Sequence, residues 1–350
     1  MTVPNLAIAG PAQARDMMLS RVEDRLRDLL ASEVSRWSAV DPRAAVPVKS
    51  VADLVGAGGK RLRPAFCLSG FLAADGDPAL ESVAVDAAAA LELLHAFALL
   101  HDDILDDSPL RRGEPTAHER HAAKHRAAAW AGEPRRFGEG VAVLAGNLAH
   151  IYADRLASAL PPAAREIWHE LRTEVMIGQH LDIRVAAERI ADPELSRWIA
   201  ICKSGRYTVH RPLALGAAIA GRPDLAAAFE QYGTVLGEAF QLRDDLIDAF
   251  GDSALSGKPT GLDLTQQKMT LLIALAMPLD DRISRLLAGQ GATGASLAQV
   301  LSDLDVRGEG ERRIDQLVKQ AQAAIGAIPL APGWRDELAR AAIQIAYRQK

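Results

Sequence analysis

Cysteine is nearly absent from this chain, with only Cys67 and Cys202 among 350 residues. The two lie far apart and match no metal-binding spacing, so a reduced thiol pair in the cytoplasm is expected, not a disulfide framework or a zinc site. Aromatic residues are equally scarce at 5%, while Ala and Leu dominate the 49% hydrophobic fraction. That balance favours helices packed on helices. A positive surplus is missing too: the net charge is −5, which argues against nucleic acid as a partner, because a phosphate-backbone binder normally carries a basic excess. The chain does not open with a basic stretch followed by an apolar run, so no signal peptide is read. The longest apolar tract, around Val83 to Leu100, is interrupted by Asp86, Glu92 and His95. It falls short of the roughly 20 apolar residues a membrane span needs, and none is expected.

Strand alternation is almost nowhere to be seen, whereas the helical period recurs along the chain. The pattern predicts helices over about 14–38, 61–74, 79–107, 137–160, 163–188, 193–220, 222–250, 264–277, 295–325 and 333–348. Turn or helix-start signals fall between them at Asp77-Pro78, Gly132-Glu133-Pro134, Pro161-Pro162, Asp192-Pro193, Arg222-Pro223 and Pro332-Gly333. There is no repeat at a solenoid period and no low-complexity linker. The expected organisation is a disordered N-terminal tail, 1–13, followed by one all-α domain over 14–350.

Against this background one pattern stands out because it occurs twice: Asp102-Asp103-Ile104-Leu105-Asp106 and Asp244-Asp245-Leu246-Ile247-Asp248. On a helix the first, second and fifth positions fall within an arc of about 100°, so each cluster puts three carboxylates on one face. Like charges packed that closely repel and call for a counter-charge. Hard divalent cations fit, since Mg²⁺ takes oxygen ligands and is typically shared between one or two carboxylates and substrate phosphates. Two clusters therefore imply a polyphosphate gripped from both sides. The helices carrying them are apolar on most faces, so the aspartates should rim a deep apolar cavity. That shape suits a diphosphate head on a hydrocarbon tail. Basic residues agree with it: Gly58-Gly59-Lys60-Arg61-Leu62-Arg63-Pro64 and Arg111-Arg112-Gly113 supply plausible clamps for a second diphosphate, and Lys203-Ser204, Lys258 and Lys268 add further positive groups. Arg61 is read as a surface charge, and His101 as a hydrogen-bonding neighbour of the first cluster, because Mg²⁺ prefers oxygen.

Together, and in this order, these segments with Phe240-Gln241 and Gly257-Lys258-Pro259 resemble the trans-isoprenyl diphosphate synthases of the polyprenyl synthetase family, most of all those that make geranylgeranyl diphosphate. The resemblance implies an all-α helical bundle around a deep central apolar cavity, working as a homodimer. It implies that Asp102, Asp103, Asp106, Asp244, Asp245 and Asp248 hold up to three Mg²⁺ on an allylic diphosphate, which Arg111, Lys203, Ser204, Gln241 and Lys258 also bind, with Lys268 as an addition. Lys60, Arg63, His95 and Arg112 correspond to the pocket for isopentenyl diphosphate. The implied reaction ionises the allylic C–O bond and lets the alkene of isopentenyl diphosphate attack the carbocation, with metals and cations stabilising the departing diphosphate and the site closed to water.

Departures from the family pattern are small: Ser204 where threonine is common, Cys202 where tyrosine is expected, and Asn147 where aspartate is frequent. In the family the residues four and five before the first aspartate form the floor of the tail cavity. Here these are Ala98 and Phe97, and one bulky residue beside a small one implies a C20 product from C5, C10 and C15 primers, with C15 or longer products as alternatives. A class I terpene cyclase would replace the second aspartate cluster, and a catalytically silent partner subunit would usually lose one cluster; both clusters stand complete here.

Overall fold

The structure, a computed structural model, describes residues 10–188, 192–251, 261, 264, 269–287 and 294–348. Lys258 and Lys268 lie outside these residues, and nothing is described of the Ser204 side chain. The helices are α1 (Pro11–Val40), α2 (Val46–Gly56), α3 (Leu62–Ala73), α4 (Glu81–Leu105), α5 (Ala117–Ala127), α6 (Pro134–Leu156), α7 (Pro162–Glu188), α8 (Pro193–Ala200), a π-helical segment (Ile201–His210), α9 (Arg211–Ile219), α10 (Ala226–Phe250), α11 (Leu271–Ala276), α12 (Asp281–Leu287), α13 (Gly294–Asp303), α14 (Val306–Gly326) and α15 (Trp334–Ala346). A two-stranded hairpin, β1 (Leu110–Arg111) with β2 (Glu114–Pro115), follows α4.

The helical reading of the sequence holds, with instructive differences. α1 begins at Pro11, so residues 11–13 form its first turn and not part of a tail; proline at the first helical position is pre-set for the helix and gives up an N–H that had no partner there. The span 295–325, expected as one helix, is two, broken at Asp305, whose φ of 50° ends any continuation and whose side chain caps α14 at the Gly308 N–H. The stretch 193–220 runs continuously but changes winding in the middle. α2, α5 and α12 have no counterpart in the helices that periodicity predicts.

α4 lies at the centre, packed along α6 and against α1 and α3. Its Ala84, Ala87–Ala90, Leu91, Leu93 and Leu94 are fully or almost fully buried, the expected state of a helix apolar all round. With the preceding turn this helix reaches a mean hydropathy of 1.8 over 18 residues, so by length and composition it does pass for a membrane span, contrary to the sequence reading. The reason it need not be one is packing: 72% of that window is buried inside the protein.

The second half is organised by α10, which packs on the π-helical segment and on α14. The approach is close enough to demand glycine: a Cβ on Gly237 would lie 1.8 Å from the Gly205 Cα, and one on Gly233 would lie 2.5 Å from the His210 Cβ. This crossing fixes Lys203 and Tyr207 on the π-helical segment relative to the second aspartate cluster on α10. Glu238, 2% exposed, braces the same region by accepting from Arg197 of α8 and Arg313 of α14 at 2.7–3.1 Å. Gly237→Ala should therefore destabilise the protein by about 1–3 kcal/mol, the range for overpacking. A denaturant midpoint that does not move would show that the crossing relaxes freely.

Candidate active site

Both aspartate clusters sit at helix C-termini. Asp102 and Asp103 occupy the last turn of α4 with Asp106 as its C-cap, and Asp244, Asp245 and Asp248 occupy the last two turns of α10. A helix C-terminus already carries about half a negative charge, and cations in the last turn would offset it. Neither α4 nor α10 has a basic residue there. Carboxylates and helix dipoles thus add, and the compensating charge must come from elsewhere in the fold or from a bound ion.

Part of it comes from the hairpin. Arg112 and Gly113 form its two-residue loop with φ of 55° and 82°, the double positive φ of a type I′ turn. This turn sends Arg111 back to Asp103, where its guanidinium forks onto both carboxylate oxygens at 2.6–3.0 Å. Arg112 reaches the other way, donating to the Gly58 carbonyl and lying over Gly59, where a Cβ would meet its Nη2 at 3.1 Å. The two basic segments of the sequence are thereby joined.

Between α4, α7 and the π-helical segment lies a cavity of about 350 Å³. Its polar lining includes Arg63, His95, Asp102, Gln179 and Lys203, and its apolar lining includes Phe97, Ala98, Leu99, Leu105, Met176 and Ile183. Three buried polar atoms in it have no protein partner: Arg63 Nε, His95 Nδ1 and the Tyr207 hydroxyl. Arg63 lies 4.1 Å from the Tyr207 ring centroid, and His95 meets that ring edge-on at 6.3 Å. Buried orphan donors and acceptors are costly unless something completes them, so this end of the cavity is built for a polar group. Burial, and then the positive charges of Arg63, Arg111, Arg112 and Arg61, push the His95 pKa well below its ordinary value. The imidazole is neutral, and of the four cations Arg61 is already paired with Glu23 and Glu92 and Arg111 with Asp103, which leaves Arg63 and Arg112 to attract an anion.

The remaining expected residues are distributed as follows. Gln241 donates to Asp245 at 2.7 Å, and Asp245 also accepts from the Leu272 N–H at 2.9 Å. Asp244 pairs with Arg348, whose guanidinium stacks 3.8 Å from the Phe240 ring centroid. The second cluster does not line the 350 Å³ cavity, and Lys60 borders a different cavity, of about 650 Å³, between α1, α3 and α15. His101 bonds the Val143 carbonyl of α6 at 3.1 Å. Arg61 is not a surface charge: it is 8% exposed, donating to Glu23 at 2.6 and 3.2 Å, to Glu92, and to the Val55 carbonyl at 2.7 Å. Burial works against its charge, but the Glu23 and Glu92 carboxylates outweigh that and raise its pKa.

Sequence reasoning misses Tyr207, Arg348 and a pair on α7. Gln179 donates to Asp102 at 3.0 Å and Asp182 accepts from Lys203 at 2.5 Å. Two polar residues three apart within Gly178-Gln179-His180-Leu181-Asp182 are the available signal, since that spacing shares a helix face.

Six carboxylates from two helix ends are the hard oxygen donors that Mg²⁺ takes, so the residues present fit that ion. Among the described residues no three or more His, Cys, Asp or Glu side chains form a ready-made cage.

The polyprenyl synthetase model matches residues 47–304. The chain belongs to the polyprenyl synthetase family. It is a prenyltransferase of isoprenoid biosynthesis with the all-α fold of trans-isoprenyl diphosphate synthases, a family that uses isopentenyl and allylic diphosphates and depends on magnesium. It is 33% identical over 71% of its length to a short chain isoprenyl diphosphate synthase of Methanothermobacter thermautotrophicus, 72% of which is covered. It is 30% identical over 89% of its length to a geranylgeranyl diphosphate synthase of Mycobacterium tuberculosis, 85% of which is covered. The crystal structure of a Corynebacterium glutamicum geranylgeranyl pyrophosphate synthase, complexed with isoprenyl diphosphate and magnesium, superposes with a TM-score of 0.87 at 35% identity, covering 96% of this chain and 99% of that one. Farnesyl and nonaprenyl diphosphate synthases match at 32% and 31% identity, so likeness alone does not fix the length of the product.

A neutral His95 has a consequence for stability. Because its folded pKa lies below the unfolded value of about 6.5, its contribution is present above that pH and is lost as the unfolded chain takes up a proton on acidification. Thermal midpoints should fall from pH 7 to pH 5, and His95→Gln should fall less steeply; parallel curves would contradict the assignment.

Proposed function

We propose that the protein condenses isopentenyl diphosphate head to tail (1′-4) with allylic diphosphates of five, ten and fifteen carbons and releases all-trans geranylgeranyl diphosphate, C20. The observation that carries this is one cavity lined both by Arg63, His95, Asp102 and Lys203 and by apolar residues that include Phe97, Ala98 and Leu99. Its size is that of a pocket burying most of a small ligand. Both cysteines are free, buried thiols, in keeping with a reducing cytoplasm.

In this reading the six aspartates hold up to three Mg²⁺, which when bound neutralise the allylic diphosphate and stabilise it as a leaving group. Asp103 also aims Arg111, and Asp245 also orders Gln241 and the start of α11. Arg111, Lys203, Ser204, Gln241, Lys258 and Lys268 bind the allylic diphosphate as its C–O bond breaks, where fixed positive charge is worth most because it needs no reorganisation. Arg63 and His95 seat isopentenyl diphosphate with its alkene facing the allylic cation, Lys60 and Arg112 are assigned to the same diphosphate by resemblance although they do not line this cavity, and the apolar walls keep water from trapping that cation. The departing diphosphate takes the final proton, so no side chain serves as base.

In this reading Phe97 is the floor of the tail cavity. It is buried, its ring packed edge-on to His101 at 4.7 Å and His150 at 5.1 Å, and Ala98 beside it leaves room on one side. Incubating the protein with Mg²⁺, isopentenyl diphosphate and each primer, then measuring the dephosphorylated products by mass, should give a dominant C20 alcohol, and Phe97→Ala should lengthen it. C15 or C25 from the native protein would reject the C20 reading, and no elongation would reject the activity.

We also propose a homodimer. α6 presents Val143, Leu144 and Ile151 to solvent, and α7 presents Ile177, all between 40 and 57% exposed. Exposed apolar side chains clustered along a helix mark an association face. Sedimentation should report a dimer for the native chain and a monomer for Leu144→Asp/Ile151→Asp; a monomeric native chain refutes it.

A further inference from the structure

The loop Gly58-Gly59-Lys60-Arg61-Leu62-Arg63 holds three cations within four residues, and they point to three different places. Lys60 is exposed, Arg63 lines the 350 Å³ cavity over Tyr207, and Arg61 turns inward to the core. Arg61 adopts the left-handed conformation, φ 46° and ψ 38°, at the N-cap of α3, a backbone state uncommon outside glycine. What holds it there is the fork of its guanidinium. One nitrogen pair bonds Glu23 of α1, Nη1 bonds Glu92 of α4, and Nη2 also reaches the last turn of α2 at the Val55 carbonyl. Two carboxylates surround one guanidinium, so this charge is consumed within the protein and is not offered to a phosphate.

Glu92 lies three residues before His95 on α4, one turn away and on the same face. The Arg61–Glu92 pair therefore ties the loop bearing Lys60 and Arg63 to the turn bearing His95. We infer that Arg61 is a positioning residue for the isopentenyl diphosphate pocket: its buried fork on Glu23 and Glu92 sets where Lys60 and Arg63 stand relative to His95. Lysine cannot do this, since it offers a compact point charge without a planar fork. The inference rests on the assignment of Lys60, Arg63 and His95 in the proposed function.

The test compares native protein, Arg61→Lys and Glu23→Gln. Glu23 is half-exposed, so its substitution loosens the fork while leaving the buried Arg61–Glu92 pair in place. Calorimetric titration with isopentenyl diphosphate alone gives a Kd that does not depend on turnover, and steady-state kinetics give KM for each substrate separately. The expected result is a Kd and KM for isopentenyl diphosphate raised about tenfold or more in Arg61→Lys and by a smaller factor in Glu23→Gln, with the KM for the allylic diphosphate within about twofold. An unchanged Kd in folded Arg61→Lys overturns the inference. So does an equal rise in both KM values, which is what a general loosening would give. Should Arg61→Lys fail to fold, an unchanged Kd in Glu23→Gln overturns it. Failure of native protein to bind isopentenyl diphosphate would instead reject the pocket assignment itself.

Discussion

Gathering six aspartates at the negative ends of two helices is unfavourable on its face, and the surrounding structure is largely an answer to it. Carboxylate repels carboxylate, and the aligned peptide dipoles of α4 and α10 add to that repulsion where a basic last turn would have relieved it. The fold supplies Arg111 to Asp103 and Arg348 to Asp244, and amide donors from Gln179 and Gln241 to Asp102 and Asp245. A carboxylate group held in this way is primed for cations of higher charge density. The same logic operates in reverse around His95, where the positive charges of Arg63, Arg111, Arg112 and Arg61 gather with a neutral imidazole among them. The site thus holds two opposed fields, and in the proposed function a magnesium diphosphate would satisfy both.

Holding such fields apart by a fixed distance is a packing problem. It is solved by contacts that leave no latitude: Gly237 against Gly205, Gly233 against His210, and the buried Glu238 clamped by Arg197 and Arg313. The π-helical winding of Ile201–His210 falls in the same region, and its Lys203 and Tyr207 both line the cavity. Such windings concentrate at functional sites.

How much of this is legible in the sequence depends on whether the signal is local. Asp-Asp-x-x-Asp within apolar helical sequence is local, so the residues alone place α4, α10 and their acidic ends. Arg111-Arg112-Gly113 is visible as charge, but not the I′ turn that sends its two arginines in opposite directions. Arg61 reads as a surface charge because its partners, Glu23 and Glu92, stand 38 and 31 residues away, and nothing in a lone arginine tells whether it will be buried. Helices α2, α5 and α12 are short and take their stability from packing, which periodicity does not register. The break at Asp305 is hidden because no glycine or proline marks it. Lys258 and Lys268 are assigned from resemblance and lie outside the described residues.

Phe97 is held from behind. Its ring rests on His101 of the same helix and on His150 of α6, and His101 is in turn anchored to the Val143 carbonyl, with Gly146 providing the space its ring occupies. A ruler is only as accurate as its backstop is stiff. With Phe97 as the proposed floor, the sharpness of the product distribution would follow from the stiffness of α6, the helix that carries His150 and the Val143 carbonyl. Substitutions there could blur or shift the cut-off while leaving every charged residue of the site in place.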